Sequence, residues 1–146
     1  MKVIHTEIEI DAPAETVWMV LADLAAYLEW NPFVRRAEGE VRIGSRLHVL
    51  IHPPGKKVMS FRPKVLVADP GRELRWLGHL WVPGLFDGEH SFVIEPWDEG
   101  CVRFIQRERF GGLLLPLLSK MLEGPTHQGF EGMNRALKLR CEAQST

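Results

Sequence analysis

Between residues 3 and 10 the chain alternates, with Ile4, Ile8 and Ile10 on one side and His5, Glu7 and Glu9 on the other. That period of two predicts a strand with one buried face. The spacing then turns helical. Val17, Val20, Leu21 and Leu24 form one apolar stripe within residues 11–24, where Pro13 suits a first turn and Glu15 suits the positive helix end. A shorter helical segment is predicted over residues 25–29. Pro32 ends it, because a proline disfavours helical geometry in the residue before it, here Asn31.

Six strands are predicted next, over residues 33–40, 46–52, 57–68, 73–80, 87–95 and 101–110. They are divided by "RIGS", "HPPGK", "DPGR", "VPGLF" and "WDEG", in which proline fixes φ and glycine supplies positive φ. Connections this short favour antiparallel neighbours. Leu47, Val49 and Ile51 alternate with polar residues, and Val102, Phe104, Gln106, Glu108 and Phe110 share one side of the last strand. After "FGG" the chain reads as helix almost to its end, with Phe130, Met133, Leu137 and Cys141 at helical spacing. "EGPT" at residues 123–126 interrupts this reading: a proline inside a helix costs about 3 kcal/mol. A kink or a break at Pro125 is therefore predicted. A curved antiparallel sheet of seven strands wrapped round a long C-terminal helix, an α+β arrangement, buries all these faces economically.

Composition narrows the function classes. The chain has 146 residues, which suits a single domain over residues 1–146. Eighteen basic and 19 acidic residues leave a formal charge of −1, with no general attraction for nucleic acid or an anionic membrane surface. The N-terminal segment lacks the apolar stretch of a signal peptide, and "LLLPLL" is too short to cross a bilayer, so no integral membrane association is expected. Cys101 and Cys141 match no metal or redox spacing and read as reduced structural thiols, which favours a cytoplasmic location.

The run "IEIDAPAETVWMVLADLAAYLEWNPF" resembles the opening of START-like, helix-grip (SRPBCC) proteins, in particular the polyketide cyclase/dehydrase group. The resemblance rests on the strand-to-helix junction at Ile8 to Pro13, on Val17-Trp18, Leu21, Asp23 and Tyr27, and on Trp30-Asn31-Pro32. "LRWLG", "GLFDGEHSF" and "RFIQRERFGGLLLPLL" look like its later strands and the entry to its last helix. It implies a deep, mainly apolar cavity between sheet and helix. Within the superfamily such cavities take sterols, lipids, polyketides and hormones; some members are cyclases, aromatases or hydrolases, and many only bind. "EGPT" departs from the more continuous helix of many relatives, which bears on the cavity mouth.

Within that frame, Phe33, Phe61, Trp76, Phe92, Phe104, Phe130 and Met133 are candidates for the cavity wall, with Leu117 and Met121 near its entrance. Such residues equally suit a plain core. Glu108 and Gln106 share parity with Phe104, and His90 shares parity with Phe92, so a carboxyl and an imidazole could divide acid and base roles in an apolar pocket. The alternative for Glu108 is a pairing with Arg103, Arg107 or Arg109. No metal site is expected: His48 and His52, four apart on a strand, stand about 13 Å apart at about 3.3 Å per residue. No cofactor is expected. Serines lie outside any nucleophile elbow, and Asp98 and Glu99 beside Cys101 would raise its thiol pKa.

Three functions fit: a monomer or homodimer that binds a lipid-, polyketide- or aromatic-like hydrophobic molecule, a cyclase or dehydratase using Glu108 and His90, or a co-chaperone-like interaction module.

Overall fold

The structure is a computed structural model and describes residues 2–80 and 82–144. It is an α+β fold in which a curved antiparallel sheet wraps a long C-terminal helix. The first strand, β1 (Lys2–Ile10), leads through Pro13 into α1 (Ala14–Ala22). Pro13 sits in extended geometry before the helix, and its carbonyl accepts the Thr16 and Val17 amides, opening the first turn. A 3₁₀ turn (Leu24–Ala26) and α2 (Tyr27–Trp30) follow. Tyr27 is fully buried and its hydroxyl donates to the Leu21 carbonyl, tying the short helix back to α1.

The remaining strands are β2 (Val34–Glu38), β3 (His48–Ile51), β4 (Met59–Phe61), β5 (Lys64–Asp69), β6 (Glu73–Leu80), β7 (Phe86–Asp98) and β8 (Cys101–Gly111). They form a five-stranded sheet in the order β1-β8-β7-β6-β5 and a three-stranded sheet in the order β2-β3-β4. The expected seven-stranded sheet is thus corrected to eight strands in two sheets. The cause lies in the expected strand over residues 57–68, which Pro63 divides: proline cannot donate to a ladder. The Pro63 carbonyl accepts the Leu47 amide at 2.8 Å, and Val65 donates to the Ser45 carbonyl at 2.8 Å. The two sheets are therefore stitched at the division.

The final helix, α3 (Leu115–Gln144), runs unbroken with Pro125 inside it. No separate segment starts at Pro125. The carbonyl that Pro125 leaves without a donor is that of Met121, an exposed residue, so water can take it over. Phe130, Met133, Leu137 and Cys141 are fully buried, as their spacing predicts. They pack with Ile10, Val17, Leu21, Phe92 and Phe104 in one core between α3, α1 and the inner face of the larger sheet.

The corner "WNPF" fixes how α2 meets β2. The Asn31 amide closes α2 on the Tyr27 carbonyl, and its side-chain Oδ1 accepts the Phe33 and Val34 amides at 3.0 and 2.8 Å. This side-chain turn sends Phe33 inward onto α3. There its ring lies so close to Gly129 that any Cβ would overlap it, and it meets Phe130 edge-on at 5.5 Å.

Candidate functional site

A cavity opens between the small sheet, the inner face of β6–β8 and the first half of α3. It encloses about 70 Å³ that the centre of a water molecule can reach. At roughly 10–15 Å³ per water, that is room for about five waters or a small organic group. Phe33, Val49, Ile51, Met59 and Phe61 form one wall, and Trp76, Leu80, Phe86 and Phe110 the other. Leu122 and Thr126 supply the α3 side. Phe86 and Phe110 stack on neighbouring strands, 5.4 Å apart and 12° from parallel.

Two glycines make the space. Gly78 and Gly88 face each other across β6 and β7, and both line the cavity. A Cβ on Gly88 would collide with Oε2 of Glu108, whereas one on Gly78 would meet only Pro63 at 3.7 Å. Glycine inside a strand marks such close approach.

The polar end of the cavity is the pair His90 and Glu108, directly opposite each other on β7 and β8. Nδ1 of His90 stands 3.4 Å from Oε1 of Glu108. The imidazole is boxed by aromatic rings: Phe92 stacks on it at 4.2 Å, Phe130 lies at 4.8 Å and Trp76 meets it edge-on at 5.6 Å. Burial in that box pushes the His90 pKa down to about 3, against a smaller opposing effect of its hydrogen bond to Gln106. Burial likewise pushes the Glu108 pKa up to about 8. Glu108 nevertheless keeps 17% of its side chain accessible, so it is reachable by a small molecule.

Behind the pair runs a buried polar chain. Nε2 of His90 is 2.8 Å from Oε1 of Gln106, whose Nε2 donates to Oδ1 of Asn134 at 2.8 Å. Nδ2 of Asn134 donates to Thr6 Oγ1 at 2.9 Å, and the Thr6 hydroxyl reaches the Gln106 carbonyl at 3.5 Å. β1, β7, β8 and α3 each contribute one or more members.

Of the sequence-derived wall candidates, Phe33, Phe61 and Trp76 line the cavity together with His90 and Glu108. Phe92, Phe104, Phe130 and Met133 are fully buried behind it, and Gln106 belongs to the polar chain. Leu117 and Met121 lie away from the lining, 76% and 50% exposed on the outer side of α3. Their place is taken by Leu122 and Thr126, because a helix presents the next residue round once its phase is set by Phe130 and Met133. The arginine alternative for Glu108 is not what is seen. Strand alternation sends Arg103, Arg107 and Arg109 to the opposite face, where Arg103 meets Glu7 at 3.6 Å and Arg107 donates to His5 at 3.2 Å. Phe110 was within reach of sequence reasoning, since it shares parity with Glu108. Phe86 and the two glycines were not, because their role depends on which strands become neighbours. The thiol of Cys101 is raised by its hydrogen bond to Asp11, by burial and by the nearby acidic groups.

This geometry, a hollow between a curved sheet and a long C-terminal helix, is a START-like fold. Three of the solved structures that share the fold illustrate the likeness. Zhui aromatase/cyclase from Streptomyces sp. R1128 superposes with a TM-score of 0.82 at 17% identity, covering 99% of this chain and 96% of that one. A START superfamily protein from Mycobacterium smegmatis gives 0.77 at 20% identity over 97% and 98% of the two chains. Norcoclaurine synthase from Thalictrum flavum, a point mutant in complex with a transition state analogue, gives 0.75 at 17% over 99% and 96%. At these identities the likeness is one of fold. Among curated proteins, none matches the chain in sequence. The sequence profile described as polyketide cyclase / dehydrase and lipid transport matches residues 1–142, so the chain belongs to that family. No helix among the described residues is long and apolar enough to cross a membrane.

Proposed function

We propose that the protein binds a small hydrophobic molecule, lipid-, polyketide- or aromatic-like, in the cavity between its sheets and α3. The observation that carries this reading is the composition of the cavity: mainly aromatic and aliphatic walls with a few polar groups, the buried pair His90 and Glu108 together with His79 and Thr126. Apolar burial at about 25 cal/mol per Å² supplies affinity, and the polar end supplies orientation. A screen of hydrophobic metabolites by thermal shift and native mass spectrometry tests it, with Gly78→Leu as the control. A Cβ at Gly78 meets only Pro63, at an ordinary contact distance of 3.7 Å, and Gly78 lines the cavity, so a side chain added there takes up cavity space. Hits that bind the wild type and not Gly78→Leu support the reading; hits indifferent to Gly78→Leu, or no hits, refute it.

A second reading is favoured by the placement of Glu108, which lines the cavity 3.4 Å from His90 in a buried setting that pushes its pKa upward. A carboxyl that keeps its proton at neutral pH can act as a general acid toward a carbonyl or leaving oxygen, as a cyclase or dehydratase requires. On this reading Glu108→Gln abolishes turnover and leaves binding largely intact, and unchanged turnover rejects it.

A further inference from the structure

The polar chain behind the cavity has a direction. The Phe130 carbonyl can only accept, and it lies 3.5 Å from Gln106 Nε2, so the Gln106 amide is turned with its nitrogen toward α3 and its oxygen toward His90. Asn134 continues the same sense by accepting from Gln106 and donating to Thr6. An oxygen facing His90 Nε2 at 2.8 Å requires that nitrogen to carry a proton. In a neutral imidazole Nδ1 is then bare, and it faces Glu108 Oε1. The carboxyl can meet a bare nitrogen only by presenting its own proton. Oε2, its other oxygen, lies over Gly88 on the cavity floor.

We propose that Thr6, Asn134 and Gln106 are positioning residues that hold His90 in the Nε2–H tautomer, so that Glu108 keeps its proton toward Nδ1 and offers Oε2 as an acceptor for a ligand hydroxyl. This rests on the cavity being a ligand site and names the ligand class: a neutral hydrophobic molecule bearing a phenol or alcohol. The surroundings agree. His90 on β7 and Ile4 on β1 flank Glu108 in register, and the cavity it shares is also lined by Leu122 and Thr126 of α3 and by His79 of β6, which pairs with Asp87 at 2.7 Å. The charged groups at the β1–α3 seam, Lys2 and Glu123, neutralise each other at 2.9 Å. Burial accounts for the proton retained by Glu108. A ligand anion would have to displace that proton arrangement, and a ligand with no donor would leave Oε2 unpaired.

The first test needs no ligand. Long-range ¹H–¹⁵N NMR on the labelled full chain at pH 6.5 reads the two ring nitrogens of His90. The expected result is a protonated Nε2 and a bare Nδ1; the opposite tautomer, or two protonated nitrogens, overturns the proposal. Gln106→Met should release the tautomer preference, and Thr6→Val should weaken it in a milder background if the first variant folds poorly. An unchanged His90 spectrum in both overturns the positioning role. The second test titrates 2-naphthol and its near-isostere 2-methylnaphthalene as probes. Wild type should favour 2-naphthol by roughly three- to tenfold, the range of one net hydrogen bond. Glu108→Gln, whose amide can donate to Nδ1 and still accept from the ligand, should keep that preference, and Glu108→Leu should lose it. Equal affinity of wild type for both compounds overturns the hydroxyl assignment. If neither compound binds while His90 shows the expected tautomer, the ligand reading fails and the positioning chain stands.

Discussion

Replacing Glu108 by glutamine removes the ionisation of a buried carboxyl while keeping its shape, and the effect on stability follows from linkage. The Glu108 pKa is raised from 4.5 to about 8 in the folded protein by burial. Below pH 4.5 both folded and unfolded chains hold the proton, and the group costs nothing. Above pH 4.5 the unfolded chain loses it and the folded chain does not, so stability falls as pH rises until the folded carboxyl also ionises near pH 8. The slope is about 1.4 kcal/mol per pH unit, giving a penalty of about 3 kcal/mol at pH 7 and about 5 kcal/mol at full development. Glu108→Gln carries none of this. Urea unfolding of both proteins at pH 5, 6, 7 and 8 measures the difference, in which the other titrating groups cancel. The variant should gain on the wild type by about 1 kcal/mol at each step, least in the last, where the folded carboxyl itself begins to ionise. A difference that stays flat across this range would show that Glu108 ionises freely and would refute the account of a proton-holding carboxyl.

Other substitutions test neighbouring parts of the argument. His90 is held neutral with its pKa pushed down to about 3, so its contribution is present above pH 6.5 and lost as pH falls toward 3; His90→Gln should flatten the acid side of the wild-type stability profile, read by the same denaturation series. Gly129→Ala drives a methyl into the Phe33 ring and should cost about 1–3 kcal/mol in thermal or chemical unfolding, the usual range for overpacking. Tyr27→Phe leaves the buried Leu21 carbonyl without its donor and should cost about 1–3 kcal/mol by the same measurement. Pro125→Ala restores a donor inside α3 and should stabilise the protein by up to about 3 kcal/mol, visible as a higher unfolding midpoint.

What the sequence shows well is whatever depends on local pattern. The edges of β6 coincide with the expected residues 73–80, and the apolar stripe of α3 is buried at the expected positions. The inward parity of Glu108 was readable because strand alternation is strict, and the same alternation turns away the three arginines whose pairing with it the sequence had left open. What depends on partners across the fold was harder to read. Pro63 splits one expected strand because it cannot donate to a ladder, and what its carbonyl then accepts, the amide of Leu47 sixteen residues earlier in the chain, is set by the partner sheet. The dry box round His90 takes one ring from β6, one from β7 and one from α3, so no spacing within a single element announces it. Gln106 was expected to touch ligand and instead turns its amide between His90 and Asn134, a choice that only the arrival of α3 decides.

Phe33 belongs to two structures at once, the cavity wall and the seat of α3. Its backbone is pinned by Asn31 and its ring is pressed into the gap left by Gly129. This end of the wall is therefore stiff. The far end of the same wall is built on β4, a three-residue edge strand whose Met59 and Phe61 are only half-buried. Methionine there can change rotamer at little cost. That wall has one fixed end and one that yields, so a guest of awkward outline is accommodated at β4 while its register is set by the rigid corner at Phe33.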